Sequence, residues 1–331
     1  MTEPSDSPSP EMPPIDDLGL VAVRPLADGP VDVVFSLSPG DRALVEAGES
    51  VVAGTPIAER ARDPRLVDIE VPATDATVPG GHIAAGELLF EWRNRWRVAA
   101  SEHTEPIETP IAGIVRDVRP GIAVVVRAAG RALRGIVVLG GPSRGHLHIV
   151  TDAEGELRSG TLDVGLAGSI LVVSARVDAE TLTRARAMGV RGIIVGGLAS
   201  KERRDFLASE SRQRAALHRL PPFAVLVLDG AARRPLPSPI LELLAALADH
   251  EVAIVADPPM LLFDVPDLEL PIPPRDLVRV RGGELAGREG RWIGAVGRRR
   301  FPGGVHLEAG SVRLGDGSAV AVPIGDLERF A

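Results

Sequence analysis

The hydrophobic pattern changes character twice along the chain. From about residue 19 to 150, short apolar runs alternate with Gly, Pro and Asp: "VDVVFSL", "ELLFEW", "IAVVVRA", "RGIVVLG" and "HLHIV". Runs bounded in this way predict strands, and no amphipathic helix of normal length fits among them. Residues 151–168 read as a connector. From 169 to 265, "SILVVSA", "RGIIVGG", "FAVLVLDG" and "EVAIVAD" predict buried strands. Between them "DAETLTRARAMG", "SKERRDFLASESRQRAALHRL" and "SPILELLAALADH" predict helices. Asp178 stands at the N-cap of the first, Gly189 at its C-terminal stop, and Pro221 breaks the second. Strands alternating with helices predict a small, mostly parallel α/β domain with right-handed crossovers. "PPMLLFDVPDLELPIPP" reads as a proline-rich stretch that bars regular structure, with a linker at 266–274. From 275 to 331 "LVRVRG", "GRWIGAVG" and "GVHLEAGSVRLGDGSAVAVP" predict strands, enough for a small β-barrel with a tight turn at "GDGS". The expected fold class is multidomain: one α/β domain with an all-β domain on either side.

Composition adds exclusions. The chain has 331 residues, and 45% hydrophobic content is ample for several cores. There is no cysteine, which excludes disulfides, thiol catalysis and cysteine-held metal or iron–sulfur sites. The net charge is −8, and residues 1–18 hold five acids and no base. That Pro/Ser/acid-rich segment is expected to be a disordered acidic tail. The remainder is close to neutral, so the whole protein is not expected to attract polyanions or polycations. The N-terminal residues show no basic-then-apolar signal pattern, and no apolar run reaches the roughly 18 residues of a membrane span. The expectation is a cytoplasmic protein that makes no membrane contact.

"LVEAGESVVAGTPIAE" (44–59) places Gly48 and Gly54 at turns between apolar strands, and "EPIETPIAGIVRDVRPGIAVVVRAAG" (105–130) reads as its partner half, P-x-x-G-x-V followed by a valine-rich strand. The two segments resemble the half-motifs of biotinyl/lipoyl-like barrel-sandwich hybrid domains, as in the N-terminal domain of the C subunit of the Rnf electron-transport complex. The resemblance implies a β barrel-sandwich fold over 19–150. It also implies a carrier lysine at a hairpin tip, and here the sequence departs from the family. Lys201 is the sole lysine, and the candidate hairpin "VPATDATVPGG" (71–81) offers Thr74, Asp75 and Thr77 instead. Nothing is expected to be carried covalently. The cysteine clusters and glycine-rich flavin or NADH site of the Rnf subunit are also missing.

In the α/β region Gly196-Gly197 follow a strand and precede a helix, where backbone amides can cradle an anion. The plainer reading is a tight turn, since the GxGxxG fingerprint and the P-loop are both absent. Asp229 and Asp257 end two predicted strands, where doubly wound sheets gather ligand-binding residues; they are equally ordinary turn residues. Arg184, Arg186, Arg203, Arg204, Arg212 and Arg214 are interleaved with acids and read as a solvated face. His146 and His148 share a strand face in "HLH" with only Asp152 as a nearby carboxylate, so no metal site is expected. No nucleophile motif appears, and neither a catalytic residue nor a cofactor is expected.

"LVRVRGGELAGREGRWIGAV" (277–296) resembles the KOW motif of ribosomal and transcription-elongation proteins, with Val278, Val280, Gly283, Gly287, Gly290 and Trp292 at the motif's positions. The resemblance implies a KOW-type small β-barrel and a role in binding RNA, DNA or protein. Residues 275–300 carry eight arginines against three acids. Arg298, Arg299 and Arg300, with Trp292 and Phe301 as stacking aromatics, are the candidate nucleic-acid contact. The sequence thus points to a non-enzymatic binding or scaffold protein with a protein partner. The alternatives are a nucleic-acid, ribosome or polymerase-associated factor acting through 275–331, and a small-molecule-binding or catalytic α/β domain.

Overall fold

The computed structural model describes residues 21–23, 26–27, 29–38, 40–62, 65–70, 88–92, 95–100, 103–150, 155–216, 221–230 and 234–330. The chain is mostly β, with three α-helices among the described residues. The acidic tail expected at 1–18 and the hairpin expected at 71–81 lie outside these residues. None of the helices is long and apolar enough to cross a membrane.

The chain divides into two compact units, Pro25–Leu236 with Leu244–Glu269, and Met1–Arg24 with Pro237–Leu243 and Leu270–Ala331. The strands at the N-terminal end are β1 (Val21–Val23), β2 (Leu26–Ala27), β3 (Val31–Ser36), β4 (Arg42–Ala43), β5 (Ser50–Val51) and β6 (Pro56–Arg62). Then come β7 (Arg65–Glu70), β8 (Leu88–Trp92), β9 (Arg95–Ala100), β10 (His103–Glu108), β11 (Gly113–Arg119) and β12 (Ala123–Ala128). In the first unit β3-β12-β11-β5 form one sheet, β10-β6-β4 a second and β7-β9-β8 a third. The two glycine-marked segments pair crosswise, β10 with β6 and β11 with β5. Gly48 and Gly54 both adopt positive φ, as their turns require. Asp32 and Arg127 face each other across β3 and β12, with two hydrogen bonds of 2.7 and 2.8 Å.

The next elements are β13 (Arg131–Arg134), β14 (Val137–Gly140), β15 (Ser143–Ile149), β16 (Ser169–Val173), α1 (Ala179–Ala187), β17 (Gly192–Val195), α2 (Ser200–Ala216), β18 (Ala224–Val227), α3 (Ser238–Ala246), β19 (Glu251–Ala256) and β20 (Pro259–Phe263). A nine-stranded sheet runs β14-β18-β17-β16-β15-β19-β20-β13-β2. β16, β17 and β18 are parallel as the βα rhythm predicts, and β15 joins them in parallel, but β19, the fourth strand of that rhythm, runs antiparallel to both of its neighbours. Of these, β16, β17 and β18 read as unbroken apolar runs because they are buried on both faces. The Asp178 carboxylate caps α1 by accepting from the Thr181 N–H at 2.7 Å. Leu182, Ala185 and Phe206 of the helices pack on Leu171, Ile193 and Val225.

Three further features depart from the sequence reading. Strands β13, β14 and β15 belong to the nine-stranded sheet, although their alternation groups them with the N-terminal strands. The core of the N-terminal sheets is in turn continuous with this sheet: Val33, Phe35, Val124 and Val126 cluster with Ala132, Val255 and Leu262. The second departure is β20, inside the stretch read as irregular. Pro259 occupies the first strand position, where proline is tolerated, and the following Met260–Phe263 are buried. Third, Arg186 is not on a solvated face. It is 3% exposed, lies 5.6 Å over the Phe206 ring and pairs with Glu210 and Gln213.

The second unit contains β21 (Leu277–Val280), β22 (Glu289–Arg300), β23 (His306–Leu314), β24 (Ala319–Pro323) and β25 (Leu327–Phe330). Its sheet runs β1-β25-β21-β22-β23-β24. Residues 21–23 thus join the C-terminal strands, with β1 parallel to β25. Val278, Val280, Val312, Leu314, Val322 and Leu327 form its core.

Candidate functional site

The two longest strands of the C-terminal sheet, β22 and β23, pair from Gly290 opposite Leu314 out to Arg300 opposite His306. Their neighbours stop earlier. β21 meets β22 only at Glu289–Arg291, and β24 meets β23 only from Ala309 to Arg313. Among the described strands, beyond Gly297 and Ala309 these two therefore pair with each other alone, as a two-stranded ribbon. Two β-bulges, at Trp292/Gly294 and Ala295/Gly297, precede the free part and add local bend and twist. The tip closes through the Phe301 N–H on the Val305 carbonyl (2.8 Å) and the Gly304 N–H on the Phe301 carbonyl (3.0 Å). Gly303 and Gly304 hold positive φ there.

Arg298, Arg299 and Arg300 are exposed on this ribbon. Alternation along the strand puts Arg298 and Arg300 on one face and Arg299 on the other. None of the three guanidinium groups has an ion-pair or hydrogen-bond partner among the described residues, although Glu308 is the cross-strand neighbour of Arg298. Four other arginines of this unit are matched with carboxylates. Arg291 binds Asp276 at 2.6 Å, Arg288 pairs with Asp316 at 3.4 Å, and Arg279 and Arg281 reach Glu328 at 3.1 and 3.6 Å. The hydrogen bond from Arg291 holds the Asp276 carboxyl below the usual carboxylate range. The hydrogen bonds from Ser318, with help from Arg288, do the same for Asp316. Among the described residues the ribbon is thus a local excess of positive charge in a protein of net charge −8.

The aromatic candidates fare differently. Trp292 packs against the core of the sheet, with its ring over Gly310. A Cβ at Gly310 would fall 1.9 Å from Trp292 Cζ3. The indole is half-buried, and its packing is against the sheet. Phe301 is half-buried at the ribbon tip.

The α/β candidates do not converge. Gly196 and Gly197 are buried in a crossing of loops, where the Gly196 carbonyl accepts from the Asp229 N–H at 2.6 Å and the Leu198 N–H donates to the Gly230 carbonyl at 2.9 Å. The Leu198 amide is therefore already engaged within the protein. A Cβ at Gly196 would lie 3.0 Å from the Arg234 carbonyl, which accounts for glycine there by close approach. Asp229 follows β18 and pairs with Arg234 at 3.3 Å. Asp257 sits in the β19–β20 turn, its carbonyl accepting from the Val34 N–H at 2.8 Å. Because β19 runs antiparallel to β15, Asp257 lies at the opposite end of the sheet from Asp229. His148 Nδ1 is 3.2 Å from Asp249 Oδ1, while Asp152 lies outside the described residues. No group of three His, Cys, Asp or Glu among the described residues is placed to hold a metal. Clefts of about 610, 560 and 410 Å³ open beside the sheet. The first and third share the Arg144–Glu251 ion pair on their walls, acid matched with base.

Sequence reasoning found the three arginines but missed what isolates them, namely the length of β22 and β23 relative to β21 and β24. It also missed Gly310 as the partner of Trp292. No family model matches the chain, and no curated protein matches it in sequence.

Proposed function

We propose that the protein is a non-enzymatic binding protein whose C-terminal unit contacts nucleic acid. The observation that carries this reading is the β22–β23 ribbon with Arg298, Arg299 and Arg300 unpaired among the described residues, in a unit whose other described arginines include four that pair with carboxylates. Phosphate contacts of this kind supply affinity without sequence preference. The unit is read as a KOW-like module. The N-terminal region is read as a barrel-sandwich domain that serves as a scaffold, a reading supported by the crosswise pairing of its two half-motifs and by the absence of lysine from residues 1–200.

A protein partner is the second reading, favoured by the exposure of Val305 (52%) and Leu307 (41%) on the same ribbon. Pull-down of the full chain from lysate, with and without nuclease, separates the two. Partners lost on nuclease treatment support nucleic acid, and partners retained support protein docking.

A further inference from the structure

The ribbon's chemistry also selects the form of nucleic acid, on the footing that it binds one at all. Single-strand readers combine basic grooves with aromatic platforms on which bases stack. Here the Trp292 ring lies over Gly310 and Phe301 is half-buried, so the ribbon's chemistry is dominated by charge rather than by an open aromatic platform. What remains is a two-stranded β-ribbon, joined by no other described strand, with guanidinium groups on both faces. We infer that this ribbon enters the major groove of B-form DNA.

The dimensions agree. Paired strands lie about 4.8 Å apart, and four residues from Gly297 to Arg300 extend about 13 Å. The B-form major groove is about 12 Å wide and about 8.5 Å deep, and it admits a two-stranded ribbon. A ribbon seated there has a phosphate backbone on each side, so Arg299 addresses one strand while Arg298 and Arg300 address the other. The A-form major groove of duplex RNA is deep and narrow and closed to side chains. The inference therefore excludes duplex RNA as the preferred ligand, as well as single strands.

The test uses the full chain and fluorescence anisotropy with a DNA duplex of about 20 base pairs, the RNA duplex of the same sequence, and each single strand, across a salt series. The DNA duplex is expected to bind about tenfold or more tighter than the others. Replacing Arg298, Arg299 and Arg300 together by Ala should reduce the slope of log affinity on log salt by about 2.7, at about 0.9 per lost phosphate contact. A duplex whose cytosines carry a bulky 5-substituent, which fills the major groove, should lose binding. Equal or tighter binding to a single strand or to duplex RNA overturns the groove inference and leaves the nucleic-acid reading standing. Unchanged binding to the substituted duplex also overturns it. No binding to any of the four at low salt overturns both.

Discussion

The indole of Trp292 covers Gly310 on the neighbouring strand so closely that a methyl group at position 310 would fall within 1.9 Å of the ring. Trp292 packs, partly buried, against the cluster that holds Val278, Val280 and Val312, and Gly310 leaves open the space its ring occupies. Gly310→Ala is therefore expected to destabilise by about 1–3 kcal/mol, the usual cost of overpacking. Trp292→Ala should cost about 3 kcal/mol through the cavity it leaves. Denaturant unfolding of both variants checks this. Full stability in Trp292→Ala would return the indole to the solvent-facing role that its place beside the arginines suggests.

Arg279 and Glu328 form a buried cross-strand pair, 1% and 6% exposed, at 3.1 Å. Removing one member of such a pair leaves a charge in a poorly solvated place, which costs about 3–5 kcal/mol. Glu328→Ala should show a loss of that size. Arg279→Met with Glu328→Met should lose less than the single change, and a double variant worse than both singles together would contradict this account.

Asp32 and Asp276 are each held below the usual carboxylate range, chiefly by the hydrogen bonds from Arg127 and Arg291. In acid the unfolded chain takes up these protons before the folded one does. Stability from both groups is therefore complete above the ordinary aspartate value, about pH 4, and is lost as pH falls through their folded values. Asp32→Asn and Asp276→Asn should flatten the dependence of melting temperature on pH below about pH 4 and leave its form at neutral pH unchanged. Identical acid profiles for wild type and variants would contradict the shifts.

At Gly196 a side chain meets the Arg234 carbonyl at 3.0 Å and Leu236 Cδ2 at 3.3 Å. Gly196→Ala is expected to lower stability by about 1 kcal/mol or more. It should change no ligand response, because neither the wild type nor the variant should gain a thermal shift across a nucleotide and phosphate panel. A shift in the wild type that the variant loses would restore the anion-cradle reading.

Much of the α/β unit was legible because its physics is local. "SILVV", "GIIV" and "AVLV" are apolar throughout since both faces are buried, and Asp178 announces the start of α1. Strand direction is not local. The stretch "EVAIVA" reads the same whether it runs parallel or antiparallel, so Asp257 cannot be placed at an end of the sheet from sequence. The same limit hid the membership of β13 to β15, whose alternation fits either sheet. In the candidate site the arginine run is plain in "GRRRF", but its isolation depends on where β21 and β24 end. The use of Trp292 depends on a glycine 18 positions away along the chain.

The salt dependence of nucleic-acid binding by the full chain tests the central claim most directly. Wild type should bind at low salt with log affinity falling linearly on log salt. The Arg298→Ala, Arg299→Ala, Arg300→Ala variant should keep its fold, bind more weakly to every sequence, and lose about two to three units of that slope. A folded triple variant with the wild-type slope, or a wild type that binds neither DNA nor RNA at low salt, would contradict the account.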